Sequence, residues 1–535
     1  MDVQRWFLSA VERGNPWTRL DRRHPGGHAW SAGNAVTPLV HGGAYFPRLL
    51  HCIEQLQAGD LLMFTDWRGD PDQSLDRDGT EVSRVFGAAA GRGVVVKGLI
   101  WRSHLDRFTF SEQENRHLGE EIEAAGGECL LDMRVRPGGS HHQKFVVLRS
   151  SRQPELDVAF VGGIDMCHSR FDDHSHAGDR QRQPMAKVYG SRPPWHDIQL
   201  EVRGPAVADL ETVFRERWED PAPLSRNPLN KLAELIRRDD VNPGALPEQL
   251  PAPAPAGSMR VQALRTYPKR TPGYPFAPHG ERSIARAYRK AVGRARKLIY
   301  VEDQYFWNGE VVSCFAEALR RESELRLIVV IPHYPDQDGR FSMPPNLVGR
   351  QQALDLVYAA GGSRVGIYGL ENPAGVPVYV HAKVCVIDDI WASVGSANLN
   401  RRSWTHDSEL SCAVLDEIAD DRPPSQPAPG EDAGPRRFAR NLRLMLAQEH
   451  LDLAEGEQEE QLCDPVGAAT AFAASAQRLQ RWHDEGRHGS RPAGRVRPYE
   501  LPRLDAPTLR WAEPMYRLLY DPDGRPRRLR RSHQF

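Results

Sequence analysis

The chain has 535 residues, 40% of them hydrophobic, and its 70 Lys and Arg nearly balance 71 Asp and Glu. Such a length and apolar content exclude wholesale disorder and ask for two domains, or two halves sharing an interface, with appendages. The near-neutral charge excludes a general nucleic-acid coat, so no nucleic-acid partner is expected, and seven cysteines without paired spacing read as reduced thiols.

In chain order, 45–57 reads as a helix and 61–65 as a strand ending at Asp66-Trp67-Arg68-Gly69-Asp70. A helix at 83–90, a β-branched strand at 93–100 and an amphipathic helix at 110–125 follow. The next strand carries His142-Gln143-Lys144 and runs to Leu148, with another apolar run at 159–165. The second half plays the same order again. Helix 282–293 leads to strand 298–301, ending at Glu302-Asp303; helix 311–321 precedes strand 325–331, then helix 351–360, strand 365–368 and a strand carrying His381 and Lys383.

The landmarks share nearly one offset. His142 and His381 stand 239 residues apart, Asp66 and Asp303 stand 237 apart, and Val161-Gly162-Gly163-Ile164-Asp165 precedes Val394-Gly395-Ser396-Ala397-Asn398 by 233. That pattern predicts a duplicated α/β unit. The division expected is a first half over 1–245, a Pro/Ala-rich linker over 246–257, a second half over 258–455, and a helical extension with a basic tail over 456–535. Helices are expected at 437–453 and 468–483, a solvent-exposed loop at 423–430, and a solvated tail over 525–531. No secretory leader and no bilayer-length apolar run is read, so the expectation is a soluble cytoplasmic monomer, peripheral at a membrane if its substrate is a lipid.

On a strand, His381 and Lys383 share one face, as do His142 and Lys144. Two such strands facing each other would set two imidazoles and two ammoniums around one pocket. One imidazole can attack a phosphodiester and become phosphorylated while the other protonates the leaving oxygen. The lysines and Asn398 would hold anionic oxygens, and the small residues Gly163 and Ser396 let the backbone come close to a phosphate. Each working histidine needs a partner on its other nitrogen, and Asp172 or Asp173 in the first copy and Asp407 in the second are placed to reach. Asp165, Asp66 and Glu302 are candidates to line the pocket, with His196 and Asp197 of Trp195-His196-Asp197 in support of the first copy. The run Asp165, Cys167, His168, Asp172, Asp173, His174 and His176 matches no zinc spacing and is read as structural and orienting, so no metal is assigned.

These stretches resemble the phospholipase D superfamily, marked by a duplicated His-x-Lys-x4-Asp motif. His381, Lys383 and Asp388 match it in full, followed by Gly395-Ser396-Ala397-Asn398 and Asp407-Ser408-Glu409. The first copy is similar, as are Phe64-Thr65-Asp66-Trp67-Arg68-Gly69-Asp70, Tyr300-Val301-Glu302-Asp303-Gln304-Tyr305 and Trp195-His196-Asp197; the likeness spans about 34–453. The resemblance implies two α-β-α sandwich domains about a pseudo-twofold, with His142 as nucleophile and His381 as general acid. It implies Lys144, Lys383 and Asn398 on phosphate, Asp388 and Glu409 in support, and no cofactor. One departure stands out: Arg149 occupies the place of the first motif aspartate. Lying at the far end of the strand, it is read as a rebuilt structural contact, with activity retained.

The function implied is hydrolysis of the distal phosphodiester of a phosphatidylcholine-like lipid at a membrane surface, with water or an alcohol as acceptor. The alternatives are phosphatidyl transfer of the cardiolipin synthase type, a superfamily nuclease, and a catalytically silent lipid-binding module.

Overall fold

The computed structural model describes residues 1–103, 112–237, 241–339, 342–427, 433–500 and 502–535. The first two residues of the helix expected at 110–125 and the end of the 423–430 loop lie outside these; the helix itself is described as Glu112–Ala124.

The strands of the first half are β1 (Ser31–Val40), β2 (Leu61–Asp66), β3 (Val95–Trp101), β4 (Glu128–Asp132), β5 (Phe145–Arg149), β6 (Val158–Gly162), β7 (Trp195–His196) and β8 (Ile198–Arg203). Those of the second are β9 (Met259–Tyr267), β10 (Glu281–Arg282), β11 (Leu298–Glu302), β12 (Arg326–Val330), β13 (Val365–Glu371), β14 (Pro377–Val380), β15 (Val384–Ile387), β16 (Trp391–Gly395), β17 (Glu409–Asp416) and β18 (Val496–Pro498). The first sheet runs β4-β3-β2-β5-β6-β8-β1, parallel across β4-β3-β2 and antiparallel thereafter. The second runs β13-β12-β11-β15-β16-β17-β9 with the same change of sense after its third strand. β1 and β9 then pair with each other, Ser31 opposite Val261 and Asn34 opposite Met259, so both sheets join into one.

Strand alternation sorts the side chains into three apolar layers. Leu62, Phe64, Val146, Leu148 and Phe160 pack outward under helices Gly42–Glu54, Val82–Gly91 and Glu112–Ala124. Ile299, Val301, Leu327, Val329 and Ile387 do the same under Ser283–Val292, Gly309–Arg321 and Met343–Gly361. The inner faces share one core: Met63, Val147 and Val161 from the first sheet and Val384, Val386 and Val394 from the second, with helices Ala206–Trp218, Arg437–Leu451 and Pro465–Asp484.

Four sequence expectations change. The motif histidines and lysines do not sit on strands but in extended lead-ins to β5 and β15, because their backbone groups are spent on the opposite half. The helix expected at 351–360 begins at Met343; Pro344 and Pro345 fall in its first turn, where a missing N–H costs nothing. Leu246–Gly257 carries no helix or strand, yet Pro251 O accepts from Arg149 (2.5 Å), so the linker is tied down. The basic tail is anchored only at its base: buried Arg525 is held by Glu310 and Asp523, while Arg527–Arg531 is a short helix with no buried residue. All seven cysteines are free and buried. Among the described residues no helix is long and apolar enough to cross a membrane.

Candidate active site

Each motif tripeptide crosses to the other half. His142 N donates to Ser408 O (2.9 Å), and His381 N donates to His196 O (2.8 Å). The side chains cross too. His142 Nδ1 meets Glu409 Oε2 at 2.9 Å, and His381 Nδ1 meets Asp197 Oδ2 at 2.6 Å. Glu409 opens β17 and Asp197 precedes β8, strands at matching places in the two sheets. A carboxylate on Nδ1 fixes the ring and its tautomer, leaving Nε2 free for chemistry. Both imidazoles are therefore set by an acid from the opposite half.

The turns after β6 and β16 finish the pairs unequally. Ser396 Oγ donates to Glu409 Oε2 at 2.5 Å. Its counterpart Gly163 has no such room, because a Cβ there would lie 2.2 Å from Asp197 Oδ1. The shorter aspartate sits closer to its own backbone, so the facing residue must lack a side chain.

The ammoniums are also unequal. Each lysine donates to the carbonyl of its own motif histidine, Lys144 to His142 O (3.1 Å) and Lys383 to His381 O, but Lys144 Nζ also lies 3.2 Å from Asp165 Oδ1, whereas Lys383 Nζ donates to Gln304 Oε1 (3.3 Å). Where Asp165 stands in the first half, the second has Asn398, a buried amide whose Oδ1 has no partner among the described residues. Burial lowers Lys383 to about 8, with Lys144 adding repulsion against the pull of Asp197. Burial and Lys383 push His381 down to about 3 despite Asp197, so this ring is neutral in the resting site. Aromatic walls enclose the set: Trp67 edges onto His142 with ring centres 5.9 Å apart, Trp195 lies 5.0 Å from His381, and Arg170 covers Trp195 at 3.8 Å.

Several expected residues have other work. Asp172 accepts from the N–H groups of Trp195, Asp173 and Gly178, and Asp173 serves Ser175; neither hydrogen-bonds a motif histidine. Asp407 is tied to Arg402 (2.7 Å) and Ser140 N (2.9 Å), two positions before Glu409, the first residue of β17, which does reach His142. Glu302 does not face the lysines: it is fully buried, bound by His196 (2.6 Å), His450 (2.7 Å) and Tyr300 (2.6 Å). Asp66 accepts from Met166 N and Trp67 N, bracing the turn, and burial and Asp165 push its carboxyl well up. Its counterpart Asp303 accepts from Leu399 N in the same way.

The motif aspartate is structural. Asp388 accepts from the backbone of Arg296, Lys297 and Leu298, each at 2.8 Å, at the far end of β15. Arg149 makes a different closure at the same place, binding Asp157 (2.9 Å), Glu211 and Pro251 O while fully buried. The sequence marks Asp197 only as support for the first copy and Glu409 only as support; in the structure Asp197 serves the second copy's His381 and Glu409 the first copy's His142. The matching places of β8 and β17 single them out.

A family model described as "Phospholipase D" matches residues 125–328, and one described as "Cardiolipin synthase, PLD-like domain" matches 288–421. The chain belongs to the phospholipase D superfamily. It is 25% identical to phospholipase D alpha 1 of Cynara cardunculus over 62% of this chain and 52% of that protein. It is 25% identical to phospholipase D alpha 2 of Oryza sativa subsp. japonica over 71% of this chain and 61% of that protein. The chain thus spans about half to three fifths of these two relatives. The crystal structure of a Haemophilus influenzae phosphatidylserine synthase superposes with a TM-score of 0.50 at 13% identity, over 72% of this chain and 84% of that one, a likeness of fold. In this superfamily member the two motif copies lie in matching sheets and exchange their orienting acids.

Proposed function

We propose that the protein is a phospholipase D that cleaves the distal phosphodiester of a glycerophospholipid. Nε2 of His142 attacks phosphorus, the bond from phosphorus to the head-group oxygen breaks, and His381 gives that oxygen its proton. Water, or a primary alcohol, then loses a proton to His381 while its oxygen displaces His142 from phosphorus. Lys144 and Lys383 hold the non-bridging oxygens as charge develops. His381 is kept neutral at rest by burial first and by Lys383 second; a phosphodiester anion beside both groups favours the charged ring, so protonation accompanies substrate binding. The reading rests above all on the two crossed imidazole–carboxylate pairs beside two lysines.

A membrane substrate finds support in an open groove of about 900 Å³ at His406, lined by Arg136, Lys269, Arg270, Arg401 and Arg517. Leu518, 74% exposed, stands on its wall. A basic surface with an exposed leucine suits an anionic bilayer.

The test is phosphatidylcholine vesicles supplied with ethanol. Choline release together with phosphatidylethanol is expected, and mass spectrometry of quenched enzyme should find a phosphatidyl group on His142. A phosphatidyl group trapped on His381 would reverse the two roles. Folded protein that binds vesicles without turnover, or cleaves only single-stranded DNA, would overturn the proposal.

A further inference from the structure

Behind His381 lies a polar cluster that the chemistry above does not use. His41, His176 and His196 converge on one oxygen-bearing side chain, Glu449. Their Nε2, Nε2 and Nδ1 atoms lie 2.9, 3.2 and 3.4 Å from its carboxylate, and one donor atom from each of the four residues lies within 4.8 Å of every other. All three histidines are buried. A tetrahedral zinc ion with bonds of about 2.0–2.1 Å separates its donors by about 3.3–3.4 Å, and the three contacts to Glu449, at 2.9–3.4 Å, bracket that spacing.

The tautomers suit a metal as well. His176 Nδ1 is engaged by Trp195 O (3.2 Å), so its Nε2 can offer a lone pair inward. His196 Nε2 is engaged by Glu302, leaving Nδ1 facing the cluster; that buried Nδ1 has no hydrogen-bond partner among the described residues. Glu302 in turn is held by His450 and Tyr300, the carboxylate–histidine backing that metal-bound imidazoles commonly have. Two of the donors also stand in the left-handed backbone region, His41 at φ 69° and His176 at φ 51°. Such strain persists where the surroundings demand it and gathers at functional sites.

We propose that His41, His176, His196 and Glu449 form a structural site for a divalent metal of the zinc class. Three imidazoles and one carboxylate is a borderline-soft donor set that favours zinc over calcium or magnesium. The four residues come from the start of helix Gly42–Glu54, the loop after β6, β7, and helix Arg437–Leu451, so the ion would clamp both halves. His196 is also the residue whose carbonyl holds His381 N and whose neighbour Asp197 holds the ring. The site is thus a positioning device for His381 and takes no part in bond making.

The experiment uses the full chain, purified without a metal-affinity tag, loaded with Zn²⁺ or Co²⁺ and then dialysed. One equivalent of metal per chain is expected, with the intense visible absorption of tetrahedral Co²⁺ and a rise in the unfolding temperature. The paired substitution His41→Asn and His176→Asn removes two imidazoles while keeping short polar side chains; circular dichroism would confirm its fold, and it should lose the cobalt spectrum and the thermal shift. Wild-type protein that retains no metal, or a folded double variant that binds as before, would overturn the proposal. Since no lipid is present, the outcome is independent of whether the phosphodiesterase reading holds.

Discussion

His142 and His381 each depend on one carboxylate, and that dependence can be measured. His142→Ala and His381→Ala should each abolish turnover in the vesicle assay. Glu409→Gln and Asp197→Asn should each lower kcat by ~10²–10⁴-fold while leaving the unfolding temperature near that of the parent, because the amide keeps the shape but not the charge that orients the ring. Gly163→Ser, which looks harmless given Ser396 at the matching position, should be nearly as damaging, since its Cβ would occupy the place of Asp197 Oδ1. Lys383 sets a pH limit. With its pKa lowered to about 8, it is an ammonium below that pH and loses its grip on an anion above it, so kcat/KM should fall from about pH 8 upward. The kcat limb should lie higher, because a bound phosphate favours the charged form. Coincident limbs would argue that Lys383 does not touch the substrate.

Arg149 shows how an element can keep its place after its motif residue is gone. Asp388 closes the end of β15 by taking three backbone N–H groups, whereas Arg149 closes the end of β5 by joining Asp157, Glu211 and the linker carbonyl of Pro251. Restoring the motif with Arg149→Asp should therefore fail. It would leave three buried carboxylates together and should cost roughly 3–5 kcal/mol in a denaturant titration. The sequence made this closure legible only in part: position 149 sits at the far end of an apolar run, but its partners are 8, 62 and 102 residues away. The same division runs through the fold and site. Strand alternation and the shared offset gave both sheets and both motifs, because those signals are local or repeated. The partners of His142 and His381 are not the acids that follow each copy's own small-residue turn, Asp172, Asp173 and Asp407, because the acids nearest in space come from the opposite half. The crossing that selects Asp197 and Glu409 is made by packing between halves.

The shared inner core makes the two halves one unit of stability. Val147 and Val161 of the first sheet and Val384 and Val394 of the second belong to the same buried layer, and β1 pairs with β9 across the join. Separating the halves would expose that layer, so heating should give one cooperative transition, with the calorimetric and van't Hoff enthalpies equal. Two resolved transitions would mean that the halves unfold independently.

The exchange of acids across the join also couples errors. If one sheet slides against the other, both imidazoles lose alignment in the same movement, so attack and proton delivery degrade together. Neither step can be tuned by loosening its own half. A mutation deep in the shared layer, far from any phosphate, would then be felt twice in the reaction it never touches.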